Sequence, residues 1–286
     1  MPKPIGAIDH LLTYVHDLEG AASLFRRMGF TLSSVSHIDS MGISNYLVLM
    51  RPVASGFANF IELMAVQDQT KLPAAMTKLL SDPQAIKSMV LGASDIDAAH
   101  AAIAKQGFNA SVPVHVKREW IVGPGESVFP EFDVVLPFPA PLTFNCCRYF
   151  NVELYLRPEW LVHTNTANGI RSVLAVAKEP GALVKRFSAI FDEPSSDDGD
   201  VARVACGGVE LVVLSPDAAQ KKYGIDRMPA GEADYLGYVI EVDSLDALQS
   251  SLSAGDIAYS RDGRSVCVEP AIGLGNLMIF REESGV

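Results

Sequence analysis

The chain has 286 residues, 49% of them hydrophobic and 20% charged, and its 23 basic against 34 acidic side chains give a formal net charge of −11. With a pI near 5.0 and no run of Lys or Arg, it lacks the basic surface that neutralises phosphates, which excludes nucleic acid as an expected partner. At roughly 150 residues per domain the length suggests two domains with sizeable cores.

No apolar leader follows Met1-Pro2-Lys3-Pro4, and no stretch reaches the roughly 18–20 apolar residues of a membrane helix, so a cytoplasmic protein without a membrane partner is expected. Cys146, Cys147, Cys206 and Cys267 show no CxxC spacing and read as reduced core thiols.

Residues 8–30 (IDHLLTYVHDLEGAASLFRRMGF) read as a strand, an acid able to cap a helix, an amphipathic helix and a Gly-Phe stop. Leu18, Ala21, Ala22, Phe25 and Met28 form the helix's apolar stripe. Segments rich in β-formers follow at 31–37, 45–51 and 57–66, then a helical stretch within 67–85. Residues 86–108 (IKSMVLGASDIDAAHAAIAKQGF) repeat the first layout: Asp17 and Gly29 lie 12 positions apart, as do Asp95 and Gly107. The Pro-rich 129–141 reads as an irregular edge or lid, since Pro cannot donate to a strand ladder, and 157–169 as the link between halves. A third copy follows IRSVLAVAK, from Glu179 to Phe191, with Pro180 suited to the first helical turn. A solvated loop at 192–200, strands at 201–206 and 208–214 and a link at 215–234 lead to a fourth copy, Asp243 to Gly255, after YLGYVIEV. Strands at 265–268 and 276–281 close the chain. One helix on a short sheet cannot cover both sheet faces, so the four strand–helix–strands units should pair, two by two.

Four paired units with an early IDHLL strand resemble the vicinal oxygen chelate superfamily of glyoxalase-type lyases, extradiol dioxygenases and the fosfomycin- and bleomycin-resistance proteins. The likeness to its glyoxalase-like domains is carried by IDHLLTYVHDL, by HIDSMGISNYLVLM at 37–50 and by NFIELMAV at 59–66. His37, Gly42 and Asn45 stand in place, with Ile43 where Thr is expected. Within 142–170, Arg157-Pro158-Glu159-Trp160 and His163-x-Asn165 also match, with Tyr149 where a His is expected. The resemblance implies an α+β fold of four βαβββ modules paired into two half-barrel domains, modules 1 and 2 in residues 1–155 and modules 3 and 4 in 156–286.

It also implies a site. His10, in the first strand of unit one, and Glu62, in its last, would share a concave face and hold a divalent metal, Zn, Fe, Ni or Mn. A carboxylate within the apolar run FIELM needs a metal, a proton or a cation. Ser88 stands at the position of His10 in unit two, where the last strand offers Asn145, Cys147 or Tyr149. His37 or Tyr149 would move protons. His37 and His115, each eight residues after a unit's Gly, would face one cleft, and Asn45, His115, His163 and Asn165 would contact substrate. In unit three Glu210 takes the place of Glu62 but Ser172 that of His10, and unit four has Leu236 there, so the C-terminal half is expected to cover the first or to form a homodimer. An extradiol dioxygenase with iron in the second half is disfavoured. The expectation is an enzyme of lyase, isomerase or oxygenase type, chelating vicinal oxygens of a small organic substrate on the ion. The alternative is a metal-free binding protein like the bleomycin-sequestering members, with Trp120, Phe129 and Phe138 near the mouth of an apolar cleft; a third reading is a structural role without ligand.

Overall fold

The computed structural model describes residues 3–136 and 140–282. The first half runs β1 (Ile5–Tyr14), α1 (Leu18–Arg27), β2 (Ser36–Ile38), β3 (Ile43–Leu49), β4 (Phe60–Val66), α2 (Ala74–Thr77), β5 (Ala85–Ala93), α3 (Ile96–Lys105), β6 (Val114–Lys117), β7 (Trp120–Gly123), β8 (Glu126–Val128), β9 (Glu131–Val135) and β10 (Phe144–Tyr149). The second runs β11 (Ala167–Ala177), α4 (Pro180–Phe191), β12 (Ser195–Asp197), β13 (Val201–Cys206), β14 (Val209–Leu214), α5 (Pro216–Tyr223), β15 (Ala233–Val242), α6 (Leu245–Ala254), β16 (Ser260–Asp262), β17 (Ser265–Val268) and β18 (Leu277–Glu282).

Two eight-stranded sheets result, ordered β2-β3-β4-β1-β5-β10-β9-β6 and β12-β13-β14-β11-β15-β18-β17-β16. In each, two βαβββ units join through their antiparallel first strands, β1 to β5 and β11 to β15. This is the expected α+β arrangement of two half-barrels. The β7–β8 hairpin is an insertion in the second unit.

The helices start where the repeat puts them, by differing means. Asp17 accepts from the Gly20 N–H at 3.0 Å and Asp95 from the Asp97 and Ala98 N–H groups. Glu179 makes no side-chain cap, and Pro180 opens α4 instead. Ser244, not Asp243, caps α6, with Oγ accepting from Ala247 N at 3.2 Å.

Two segments differ from the sequence expectation. Residues 131–135 are no lid: β9 pairs with both β10 and β6, because the six residues between Pro130 and Pro137 keep their N–H donors. The link at 215–234 contains α5, capped by Ser215, opened by Pro216 and closed by Gly224 at φ +69.

Strand alternation divides the buried residues between sheet faces. Ile8, Leu11, Ile61, Leu63, Met89 and Leu91 face outward and belong, with Ala22 and Phe25 of α1, to one cluster that continues through Val173, Phe187 and Phe280 of the second half. The inner face of the first sheet holds apolar clusters at its two ends. Leu12, Ile43 and Met64 meet Met76 of α2, while Leu47, Leu49 and Phe60 meet Trp120, Tyr155 and Trp160.

Candidate functional site

Between those two apolar clusters lies a belt of polar side chains on the inner face of the first sheet. Asn45 on β3 and Glu62 on β4 lie between positions whose neighbours two residues on are apolar, and the Asn45 Nδ2 donates to Glu62 Oε1 at 2.5 Å. Glu62 Oε2 faces His10 Nε2 at 3.9 Å, too far for a direct hydrogen bond. The two side chains are only 12% and 10% exposed. The His10 ring stacks on Phe60, 4.0 Å between centroids.

Asp9 completes the arrangement. Neighbours in a regular strand point to opposite faces, but the β1–β5 register shifts between Ile8 and His10, and this irregularity brings Asp9 beside the ring. His10 Nδ1–H donates to Asp9 Oδ1 at 2.7 Å, the Tyr149 hydroxyl donates to the same oxygen at 3.0 Å, and the Ala58 N–H to Oδ2 at 2.7 Å. The carboxylate, fully buried, thus fixes the imidazole with Nε2 toward Glu62. Burial, reinforced by the charge of Asp9, pushes the Tyr149 phenol well above its ordinary range, so Tyr149 is a neutral donor to Asp9 and not a base.

Across β5 and β10, Ser88 Oγ donates to Asn145 Oδ1 at 3.3 Å. The register confirms their equivalence to the first unit: Leu12 pairs with Glu62 as Val90 pairs with Asn145. Neutral groups therefore stand where the twofold of the sheet repeats His10 and Glu62. The inner face is least covered over β10, β9 and β6, where Asn145, Val134, Phe132 and Val116 are half-buried.

The other sequence candidates are placed elsewhere. His37 pairs with Ser44, donating to or accepting from its Oγ at 2.8 Å, one residue out of register with Ser36, which pairs with Asn45. It borders a small pocket of about 230 Å³ with Asp39, Asp68 and Lys71. His115 pairs with Asp133 at 2.9 Å and lies 3.5 Å from Glu131, on the face opposite Val116. The two histidines thus do not share a cleft: odd positions on these edge strands turn outward. His163 is buried with both ring nitrogens committed, Nδ1 accepting from Thr31 N at 3.0 Å and Nε2–H donating to Leu49 O at 2.9 Å. Asn165, 0% exposed, donates to Met28 O and accepts from Ala167 N. Both are buried and tie a turn between the halves. Trp120 is buried under Trp160, Phe129 is exposed, and Phe138 lies outside the described residues.

Among the described residues the second sheet has no such belt. Ser172 pairs with Glu210, but Leu174 pairs with Val212, so Val212 holds the place of Glu62, and Glu210 turns to Arg203 at 3.3 Å. Gly237, not Leu236, pairs with Leu174, as Ser88 does with Leu12. Leu174, Val212, Val239 and Ile279 pack instead on Ala219 of α5.

Besides Asp9, two members of the belt gave no sequence signal. Arg118, from the β6–β7 link, donates through Nη1 to Ser36 Oγ on β2, so the opposite edges of the eight-stranded sheet meet. Nothing local to either residue marks them; the curl of the sheet brings them together.

The donor set fits a divalent ion, though a sparse one. An imidazole nitrogen and a carboxylate oxygen face each other, the ring is oriented by a carboxylate behind it as metal-bound histidines are, and the buried Asn45 Oδ1 beside Glu62 has no hydrogen-bond partner. Among the described residues no three His, Cys, Asp or Glu side chains converge on one point. No helix among them is long and apolar enough to cross a membrane.

Comparison with known proteins agrees with the geometry. Over the whole chain the fold is similar to a hypothetical protein from Staphylococcus aureus, with TM-score 0.68 and 12% identity, covering 96% of this chain and 98% of that one. It is also similar to a mutant of 4-hydroxymandelate synthase from Streptomyces coelicolor, with TM-score 0.62 and 13% identity, covering 99% and 94%. A fusion of a xylose isomerase-like TIM barrel with a 4-hydroxyphenylpyruvate dioxygenase matches at TM-score 0.56 and 13% identity, covering 100% of this chain and 50% of that one. No curated protein matches the sequence. Residues 8–191 match the glyoxalase-like domain family. The chain therefore belongs to the glyoxalase-like domain family.

Proposed function

We propose that the chain is a small-molecule enzyme of lyase, isomerase or oxygenase type, whose site is the inner face of the first sheet and whose cofactor is a divalent ion held by His10 Nε2 and Glu62 Oε2. One observation carries this reading: on two side chains only 10% and 12% exposed, His10 Nε2 and Glu62 Oε2 face each other across 3.9 Å, neither with a hydrogen-bond partner among the described residues, and the ring's other nitrogen is anchored on Asp9. A bound ion would supply Lewis-acid polarisation of two adjacent substrate oxygens. Its ligand set leaves positions open, which suits a bidentate substrate.

The chain's own residues do the rest. Asp9 holds the imidazole in the tautomer that presents Nε2, and Tyr149 and the Ala58 N–H hold Asp9. Asn45 fixes the Glu62 carboxylate through Oε1 and leaves Oε2 free. The apolar clusters on either side exclude water, which strengthens each electrostatic contact in the belt. The neutral Ser88 and Asn145, in place of further charged ligands, favour a second reading, a metal-free binder of small molecules with the same fold.

Elemental analysis of untagged protein purified without chelator decides between them. The enzyme reading expects Zn, Fe, Ni or Mn near stoichiometry, lost in the His10→Ala, Glu62→Ala double variant. Protein that stays metal-free after incubation with each ion sinks the chelation mechanism and leaves the binder.

A further inference from the structure

Among the described residues the cation of the belt has no partner anion. Arg118 gives one of its five N–H donors to Ser36 Oγ and lies with its guanidinium carbon 5.7 Å from the Trp120 ring centroid. Among those residues no carboxylate oxygen comes within 4.0 Å of it, and its one side-chain hydrogen bond goes to Ser36. Three charges act on the buried Tyr155 hydroxyl, Arg118 lowering and Glu62 and Asp9 raising its pKa, beneath a larger upward push from burial. Glu62 is held by Asn45 and faces His10, and Asp9 is buried and fixed by three donors, so neither is free to turn to the guanidinium.

Arg118 also stands where the face is accessible. It is half-buried at the end of β6, beside the half-buried Val116, Phe132 and Val134, which form an apolar floor running toward Asn145. A guanidinium with free N–H groups in a fixed fork, at the border of an apolar floor, matches a planar carboxylate better than any neutral group.

We infer that the site takes a small organic acid, with its carboxylate held by Arg118 and its apolar body over Val116, Phe132 and Val134. This deepens the proposed function and rests on it only for the location of the site. The acid's neighbouring oxygens would then lie toward His10 and Glu62, along the same belt. Arg118 would set specificity for an anion, while the seam it makes with Ser36 would be a separate, structural service.

Calorimetric titration tests the inference. Wild-type, Arg118→Gln, Arg118→Lys and Ser36→Ala proteins are titrated with benzoate, phenylacetate and benzoylformate and with the methyl ester of each, before and after treatment with chelator. At least one acid should bind wild type about 10-fold or more tighter than its ester. Arg118→Gln should bring that acid down to its ester's affinity without changing the ester, and Arg118→Lys should recover part of the preference. Ser36→Ala breaks the seam alone and should keep the preference for the acid. Failure of every acid to bind wild type, equal binding of acid and ester, or equal losses of acid and ester in Arg118→Gln and Ser36→Ala would each overturn it. An acid preference that survives in metal-free protein upholds Arg118 even where the metal reading fails; bound metal with no acid preference does the reverse.

Discussion

At the scale of single residues, Asp9 carries more of the proposed site than the side chain it orients. It accepts three hydrogen bonds while fully buried, and a carboxylate oxygen is the acceptor in each. Asp9→Asn keeps the shape but replaces one acceptor oxygen by a donor, which faces either the Ala58 N–H or the His10 and Tyr149 donors. A cost of about 2 kcal/mol in urea unfolding is expected, since hydrogen bonds to charged groups contribute about 1.5–3 kcal/mol each. Metal affinity should fall about 10–100-fold, as for other partners behind a metal ligand; unchanged affinity would show that the Asp9–His10 contact plays no part in ion binding. His163 makes a different prediction. Burial pushes it down to about 4 from an ordinary 6.5. Between these values the unfolded chain binds the proton and the native one does not, so the contribution is complete above pH 6.5 and is lost as pH falls toward 4. At one pKa unit per 1.36 kcal/mol the full amount is about 3 kcal/mol. Denaturation at pH 7 and pH 4.5 should show wild type losing about 2–3 kcal/mol more than His163→Gln; parallel losses would refute this role. The facing of His10 and Glu62 was expected from the family resemblance, and Glu62 was marked besides as a carboxylate inside an apolar run. Asp9 was not, because only a register shift puts it on the side of its neighbour.

At the scale of elements, the two sheets share a topology and differ in what fills them. In the second, Leu174, Val212, Val239 and Ile279 close on Ala219, so α5 occupies the space that the polar belt holds open in the first. Ala219→Leu should overpack this contact and cost about 1–3 kcal/mol, with metal content of the protein unchanged; a loss of metal together with stability would contradict the separation of the two interiors. The repeat of 12 residues from helix start to helix stop was readable because caps, apolar stripes and stops are local signals. Register across strands was not. Glu210 sits near the position of Glu62 by counting along the chain, yet the observed pairing puts Val212 there. Connections of different length after each helix shift the count, and a shift of two residues retains the face but changes the neighbour. The β9 strand was hidden between prolines for a similar reason: the penalty of Pro falls on its own missing donor, not on the residues it brackets.

At the scale of the whole molecule, the halves are joined through one core. The outward cluster runs from α1 through α4 to Phe280. Polar ties cross the same boundary: Asn59 Oδ1 accepts from Ile170 N at 2.7 Å, Asn276 Oδ1 accepts from Ile86 N at 2.8 Å, and the Tyr235 hydroxyl accepts from Met89 N at 2.9 Å and donates to Thr143 O. Both tryptophans, Trp120 and Trp160, pack against the first sheet, so their fluorescence reports on it, whereas far-ultraviolet circular dichroism reports on both sheets. Coincident urea transitions by the two probes are expected of a single cooperative unit. A fluorescence midpoint displaced from the dichroism midpoint would show halves that unfold independently.

The central claim is that the inner face of the first sheet, and not that of the second, is the chemical site. Anomalous diffraction from crystals soaked in Mn²⁺ and, separately, in Zn²⁺ tests it most directly. One peak between His10 Nε2 and Glu62 Oε2, with none inside the second sheet, is the predicted result; no peak there with either ion, or a peak against the second sheet, would contradict it.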